Sequence, residues 1–314
     1  MATTYEAAYR QPGCNPDFTP VAAVTGGEVV VLPDGRAAVS PADIAAGKLG
    51  AAQTEGVYEV QKTSNIAFID GQEVFWDYSA NKAHFKPVND RDFFLGKAVG
   101  DAAASATTML VEINVRPTYL IDLSRDSFQT VLVGSAALNR RGGANELVLA
   151  STSEAEKVDA LSTQGVATGA RMIVEMQLNV LNDGAGSAAD FSCGLANGTH
   201  ATDGDSIGEH LFVHLDANNA NINMQSKDGT TTVTVTDTTV DYVEGTPFLV
   251  VFDIRDNTDI QAYVDMVNVL PASVFKLNAA AGPLKLLAHL EKTSAADVYQ
   301  VQVEKLRIRL ASQS

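Results

Sequence analysis

The sequence predicts an all-β chain with two domains, an N-terminal small β-barrel and a C-terminal jelly-roll β-sandwich. Short apolar runs recur along the chain, turn residues such as Gly, Pro, Asn and Asp separate them, and few segments have helical periodicity. A length of 314 residues is about twice that of a common single domain. Only three short segments are predicted to be helical: Ala42–Ala46, Ser153–Leu161 and Pro271–Leu277.

The first 20 residues contain two tyrosines and three prolines but little apolar periodicity, which predicts an extended N-terminal arm over residues 1–20. The barrel domain is predicted over residues 21–116. It begins with a hairpin, because Pro33-Asp34-Gly35 lies between two valine-rich runs, and proline and glycine favour the backbone angles of a turn. Further strands are predicted at 56–60, 73–77, 83–85, 93–99 and 108–115.

The core of this domain is predicted from the alternation of side chains along its strands. Six residues are expected to be buried together: Val57, Val60, Val74, Trp76, Val111 and Ile113.

The second domain is predicted over residues 117–314, with a connector at its start, because Arg116 precedes a proline and should be extended. Alternating apolar and polar residues then predict the strands of a sandwich. The strand-like runs lie at 171–180, 191–195, 209–215, 220–224, 231–236, 247–254, 260–264, 285–291 and 298–310.

Composition excludes several classes of function. The net charge is −16, which disfavours binding to nucleic acid or to an anionic membrane surface. Cys14 and Cys193 are too few and too far apart for a disulfide framework or a zinc knuckle. The sequence shows no signal peptide and no apolar run long enough to span a membrane.

The sequence lacks phosphate-binding, dinucleotide-binding and nucleophile-elbow motifs, and we therefore expect no enzyme and no cofactor. His210 and His214 have the spacing of a helical zinc site, but EHLFVHL is a strand pattern, so we expect both on one face of a strand and no metal. Asp203-Gly204-Asp205 is expected to be a polar turn rather than a calcium loop. Two carboxylate pairs, Glu55 with Glu59 and Glu175 with Asp253, are considered for glycoside hydrolysis and disfavoured.

Residues 21–115 resemble the bacteriophage capsid cement, or head-decoration, protein family. The resemblance depends on the order and spacing of five segments: Gly26–Val30, Thr54–Lys62, Gly71–Asp77, Leu95–Val99 and Val111–Ile113. It implies a small β-barrel that binds the outer surface of an icosahedral head, commonly as a trimer, and holds neighbouring major capsid subunits together. Residues 130–310 more loosely resemble concanavalin-like jelly rolls, an analogy of fold that predicts no sugar site.

The leading hypothesis is therefore a structural protein that is made in the host cytoplasm and decorates the virion, with the major capsid protein as partner and a homotrimer as the expected state. Tyrosine and arginine are favoured anchors of interfaces, so the arm is expected to contact the capsid. Its candidate capsid-binding residues are Thr3, Thr4, Tyr5, Tyr9 and Arg10. The alternatives are a lectin-like adhesin that binds glycans through the C-terminal domain and a glycan hydrolase.

Overall fold

The computed structural model describes residues 14–311, and the chain divides into two compact units between Pro117 and Thr118. Almost all regular structure in this range is antiparallel β-strand, which confirms the predicted all-β class. The one helical element among the described residues is a 3-10 turn at Gly204–Ser206.

The N-terminal unit contains a curled five-stranded sheet and two short hairpin-like pairs. Its strands are β1 (Asp17–Phe18), β2 (Val29–Val31), β3 (Ala37–Val39), β4 (Gly50–Ala51), β5 (Val57–Gln61), β6 (Glu73–Asp77), β7 (Lys82–His84), β8 (Phe93–Ala98) and β9 (Thr108–Ile113). The sheet has the order β5-β9-β8-β6-β7, while β1 pairs with β4 and β2 with β3.

No closed barrel is found in this unit over residues 14–117. The two edge strands of the five-stranded sheet, β5 and β7, approach each other at one parallel bridge between Lys62 and Ala83. The amide of Thr63 donates to the carbonyl of Ala83 there, at 3.0 Å. The sheet therefore curls until its edges touch at one point, without the continuous ladder that closes a barrel.

Part of the predicted arm belongs to this fold. Asp17 and Phe18 form β1, and Phe18 packs against a small apolar cluster of Leu32, Ala38 and Ala52. Backbone hydrogen bonds from Ala52 to Pro16 and from Thr54 to Cys14 also hold this segment, although it lacks the alternation that marks a strand in the sequence.

The core of the N-terminal unit contains five of the six residues predicted for it: Val60, Val74, Trp76, Val111 and Ile113. The prediction is wrong for Val57, which is 52% exposed. Val57 and Val60 lie three positions apart on β5, so the alternation of a strand places them on opposite faces.

The C-terminal unit is a jelly-roll β-sandwich of two large sheets. Its strands are β10 (Ile121–Asp122), β11 (Phe128–Val133), β12 (Ala137–Arg141), β13 (Ala144–Val148), β14 (Glu156–Val166), β15 (Met172–Asn182), β16 (Ala189–Ala196), β17 (Glu209–Asp216), β18 (Asn221–Asp228), β19 (Thr232–Asp241), β20 (Phe248–Ile254), β21 (Gln261–Val264), β22 (Val267–Asn268), β23 (Leu284–Lys292) and β24 (Gln300–Leu310). The eight-stranded sheet has the order β12-β13-β24-β15-β20-β21-β22, and its eighth strand, β10, pairs with β24. The seven-stranded sheet has the order β11-β14-β23-β16-β17-β18-β19.

One continuous apolar core lies between these two sheets. Val174 and Met176 of β15 project into it from one sheet, and Leu211 and Val213 of β17 from the other, all of them fully buried. The opposite face of the seven-stranded sheet carries polar side chains beside a small apolar cluster of Leu161, Ala196, Ile207, Phe212 and Leu287. The connection between β16 and β17 lies on this face.

The three predicted helices are wrong. Segment 153–161 runs into strand β14, where Val158 and Ala160 point into the core and Asp159 points the other way. Segments 42–46 and 271–277 are turns and isolated bridges. Short apolar runs rich in alanine suit both helix and buried strand, and here the neighbouring strands decide.

Candidate functional site

The predicted capsid-binding residues Thr3, Thr4, Tyr5, Tyr9 and Arg10 lie outside the described residues. Among the described residues of the N-terminal unit, two exposed apolar side chains lie close to where the described chain begins. Val21 is fully exposed and Leu49 is 70% exposed. The carbonyl of Pro20 accepts a hydrogen bond from the amide of Gly47 at 2.8 Å, so the two short segments that carry these side chains run side by side.

The largest group of interacting titratable side chains lies on the polar face of the seven-stranded sheet in the C-terminal unit. The register of five neighbouring strands places one polar residue of each strand in a row across the sheet. The row consists of Asp159, His289, Ser192, His214 and Asn223. All five are buried because the connection that contains the 3-10 turn lies over them.

His289 is held between two carboxylates. Its Nδ1 lies 2.5 Å from Asp159 Oδ1, and its Nε2 lies 3.3 Å from Glu291 Oε2 in an ion-pair contact. Burial alone would lower the pKa of His289, but the contacts with Asp159 and Glu291 outweigh it and raise that pKa to about 9. Lys157 adds a second cation, 2.9 Å from Asp159 Oδ2.

His214 is held in the same way by Asp205 and Asp216. Its Nε2 lies 2.9 Å from Asp216 Oδ1 and its Nδ1 lies 3.4 Å from Asp205 Oδ1. Burial opposes protonation, but the two carboxylates raise the pKa of His214 to about 10. Burial raises the pKa of the adjacent Asp190 to about 6 against the attraction of His214, and the carboxylate of Asp216 adds to the rise.

Ser192, His214 and Asp216 are arranged like a nucleophile, a base and the carboxylate that orients the base. Ser192 Oγ lies 3.3 Å from His214 Nδ1. Two observations argue against catalysis. Ser192 is buried beneath the backbone of Gly204, where an added Cβ would lie 3.1 Å from its Oγ. The carboxylates of Asp205 and Asp216 also raise the pKa of His214 to about 10, which disfavours transfer of a proton to it from the serine.

The same cluster contains the one group of possible metal ligands found among the described residues. Ligand atoms of Asp190, His214 and Asp216 lie within 4.8 Å of one another. A divalent cation there would have to displace the proton that the neighbouring carboxylates hold on His214. The prediction that His210 and His214 share one face of a strand is confirmed, since both lie on β17 at positions of the same parity. His210 stacks on Phe212, with ring centroids 4.6 Å apart.

The turn at Asp203-Gly204-Asp205 is a polar turn, as predicted. Asp203 caps it by accepting a hydrogen bond from the amide of Asp205, and the amide of Gly204 donates to Glu291 Oε1 at 3.0 Å. Gln225 Nε2 donates to Asp205 Oδ1. These bonds fix the turn over the polar row and explain why the row is buried.

Three of the four carboxylates considered for glycoside hydrolysis form other contacts: Glu175, Asp253 and Glu59. Glu175 is buried and accepts hydrogen bonds from Arg307 Nε and Arg309 Nε, both at 3.0 Å. Asp253 forms an ion pair with Arg255. Glu59 accepts a hydrogen bond from the hydroxyl of Thr108 at 2.7 Å. The contacts of Glu175 and Asp253 hold strands and a turn together instead of providing an acid and a base.

Sequence reasoning missed the polar row because it joins β14 and β23, which are far from each other in the chain, to the consecutive strands β16, β17 and β18. Asp159 and His289, for example, are 130 positions apart. The available signal was polar residues at core-like spacing, such as Asp159 between Val158 and Ala160, which indicates a strand with one polar and one apolar face.

Residues 11–113 match the model of a phage cement protein family, which confirms the resemblance drawn from the sequence. No curated protein matches the chain. Within residues 14–311, no helix is long and apolar enough to cross a membrane.

Several solved structures share the strand arrangement at low similarity. The carbohydrate recognition domain of Emp47p is 14% identical, with 61% of this chain and 94% of that one covered and a TM-score of 0.43. A structure from work on endo-acting O-glycanases of the human gut microbiota is 8% identical, with 62% of this chain and 100% of that one covered and a TM-score of 0.45. The carbohydrate esterase vb_24B_21 from the Shiga toxin-encoding bacteriophage phi24B is 12% identical, with 62% of this chain and 99% of that one covered and a TM-score of 0.40. Similarity at this level indicates nothing about a ligand or an activity.

Proposed function

We propose that this protein is a capsid cement: its N-terminal unit binds the outer surface of a phage head and stabilises contacts between major capsid subunits. The observation that carries the proposal is the match of residues 11–113 to the phage cement protein family. The role is structural and needs no cofactor. The protein is then part of the virion, and its partner is the major capsid protein.

The exposed side chains of the N-terminal unit support this role. Val21 and Leu49 offer apolar contact area on two adjacent segments, and burying each one in an interface is worth about 1.5–3 kcal/mol at most. The arm that precedes them contributes Tyr5, Tyr9 and Arg10, residue types that commonly anchor interfaces. The proposed contact surface therefore comprises the arm together with the exposed side chains of Val21 and Leu49.

The cement is proposed to act as a homotrimer, in which three weak contacts with the shell reinforce one another. A clamp of this kind resists outward pressure from packaged DNA because the shell can expand only when several contacts break together. Sedimentation of the purified protein at several concentrations tests the trimer directly.

Binding to undecorated heads tests the cement function. The variant that lacks residues 2–13 removes the proposed contact residues of the arm and none of the described strands, and its melting temperature, measured beside that of the intact chain, separates a binding defect from unfolding. We expect it to cosediment with heads at least tenfold more weakly. A double variant, Val21→Asp with Leu49→Asp, should show the same defect.

Val88→Asp is the control, because Val88 is another exposed apolar residue of the unit, at 54%. It should bind heads like the unchanged protein. Unchanged head binding by both the deletion and the double variant would contradict the proposed contact surface, and failure of the intact chain to bind heads would contradict the cement function itself.

A further inference from the structure

The outermost strand of the seven-stranded sheet, β11, has an unusual edge. It pairs with β14 on one side, and no strand within residues 14–311 pairs with its other side. Five of its six residues are exposed, including the apolar Val131, Leu132 and Val133 at 40–50%. The strand therefore presents both an open backbone edge and apolar side chains.

The other three sheet edges of the C-terminal unit carry features that prevent strand pairing. On β19 these are Asp237, Asp241 and two register shifts against β18. Charged side chains on β12 and a length of only two residues for β22 have the same effect. By contrast, β11 pairs regularly over all six residues, and residues 127–139 contain no charged residue.

The hydrogen bonds to β14 determine which backbone groups of β11 face outward. The carbonyl of Ser127 accepts a bond from the amide of Thr163, so Ser127 points toward β14. Because backbone groups alternate along a strand, the N–H and C=O groups of Phe128, Thr130 and Leu132 point away from the sheet. These three residues are the ones that an added strand would bond.

We propose that this edge pairs with the same strand of a second copy of the chain, as an antiparallel pair about a two-fold axis at Thr130. Residues that face each other in such a ladder must have the same parity, so Thr130 lies opposite its own copy and Phe128 lies opposite Leu132 of the second copy. Gln129 then lies opposite Val131 of the second copy on the other face.

In this register the second copy covers apolar side chains that are exposed at the edge of the core. Leu132 lies beside Val158, which is fully buried, yet Leu132 itself is half exposed. Phe128 packs against the same core at the other end of the strand. In the pair, Phe128 of each copy lies over Leu132 of the other and continues the apolar layer across the axis.

Charge favours this edge as the place where two copies meet. Each copy carries a net charge of −16, so most surfaces of two copies repel each other. The β11 edge is neutral and its pairing register places no like charges opposite each other. A pair of six-residue strands, each about 20 Å long, buries less area than the roughly 1,200 Å² at the lower end of stable specific interfaces. The contact is therefore weak in dilute solution and strengthens where copies are held close together.

Disulfide trapping tests the register in the full chain. In a Cys14→Ser background, Thr130→Cys places two thiols opposite each other at the axis, at a Cα separation of about 5.5 Å that a disulfide can span. Thr234→Cys, at an exposed position on β19, is the matched control for random collision. Under mild oxidation we expect Thr130→Cys to form covalent dimers at least tenfold faster than Thr234→Cys, and equal rates would overturn the proposal.

A blocking variant gives an independent test. Val131→Lys adds a charge to the edge at an exposed position, so the melting temperature should not change. Combined with Thr130→Cys, it should reduce dimer formation to the rate of the Thr234→Cys control. Rapid trapping that persists in the Lys variant would overturn the proposed strand pairing.

The two proposals fail separately. Val131→Lys alone should still bind undecorated heads, because head binding is assigned to the N-terminal unit. Trapping at Thr130 without head binding would contradict the cement function and leave the β11 contact intact.

Discussion

The buried pair of His289 with Asp159 predicts a loss of stability at alkaline pH. The carboxylates around His289 raise its pKa from 6.5 to about 9, which corresponds to about 3 kcal/mol at about 1.4 kcal/mol for each pH unit. Below pH 6.5 the folded and unfolded chains both carry the proton, and the stabilisation is complete. As pH rises from 6.5 to about 9, the unfolded chain loses the proton first, so the free energy of unfolding falls.

The assay is urea unfolding followed by far-ultraviolet circular dichroism at pH 6 and pH 9. The unchanged protein should lose stability between these values, with His214 adding to the loss because its pKa is raised in the same direction. His289→Gln should be less stable at pH 6, since it leaves Asp159 and Glu291 without their cation, and its loss between the two pH values should be smaller by about 3 kcal/mol.

His210→Gln is the control, because burial lowers the pKa of His210, the opposite direction to the shift of His289. It should keep the alkaline loss of the unchanged protein. An identical loss in His289→Gln, or an imidazole of His289 that titrates near pH 6.5 in an NMR experiment, would refute the reasoning.

Three further predictions concern packing and ligand binding. Trp76→Ala should destabilise the N-terminal unit by about 3–5 kcal/mol, because the ring is 94% buried, and an unchanged melting temperature would contradict its place in the core. Gly96→Ala should also destabilise this unit, because its Cβ would lie 2.1 Å from the carbonyl oxygen of Glu112, whereas Gly169→Ala in the other unit meets no atom within 4 Å and should melt like the unchanged protein. Glycan-array binding by the full chain tests the alternative function: no bound glycan is expected of a cement, and saturable binding that survives deletion of residues 2–13 would favour a lectin.

The alternation of apolar residues predicted the all-β class and most of the N-terminal core, but it did not fix the phase of every strand. Val57 and Val60 are both valines on β5, and only one can face inward. On β24 the register against β15 shifts at Glu304, because Gln177 pairs with Lys305 and the next residue, Leu178, pairs with Val303.

This shift explains why strict alternation misassigns the closing strand. Strict alternation would place Val301, Val303, Lys305, Arg307 and Arg309 on one face. The bulge changes the parity, so Leu306 and Ile308 join Val301 and Val303 in the core. Arg307 and Arg309 turn to the other face, where they bind Glu175. The change of phase is visible in the sequence, where the apolar residues move from odd positions at Val301 and Val303 to even positions at Leu306 and Ile308.

The candidate site was less predictable than the fold for a related reason. The strand nature of EHLFVHL and the polar turn beside it follow from local pattern, and both are confirmed. The contacts that give His214 and His289 their charge depend on which strands are neighbours. Register between distant strands is a property of the whole sheet, and one sequence without homologues does not contain it.

The pairing of β10 with β24 brings the two ends of the sandwich together. The amide of Leu120 donates to the carbonyl of Ile308, so the chain enters and leaves this unit on adjacent strands, about 5 Å apart. A unit with joined ends can be excised or exchanged for another by closing a gap that one or two residues span, at little cost in loop entropy. The sandwich thus has the form of a module that can be gained, lost or replaced while the strands of the N-terminal unit stay unchanged.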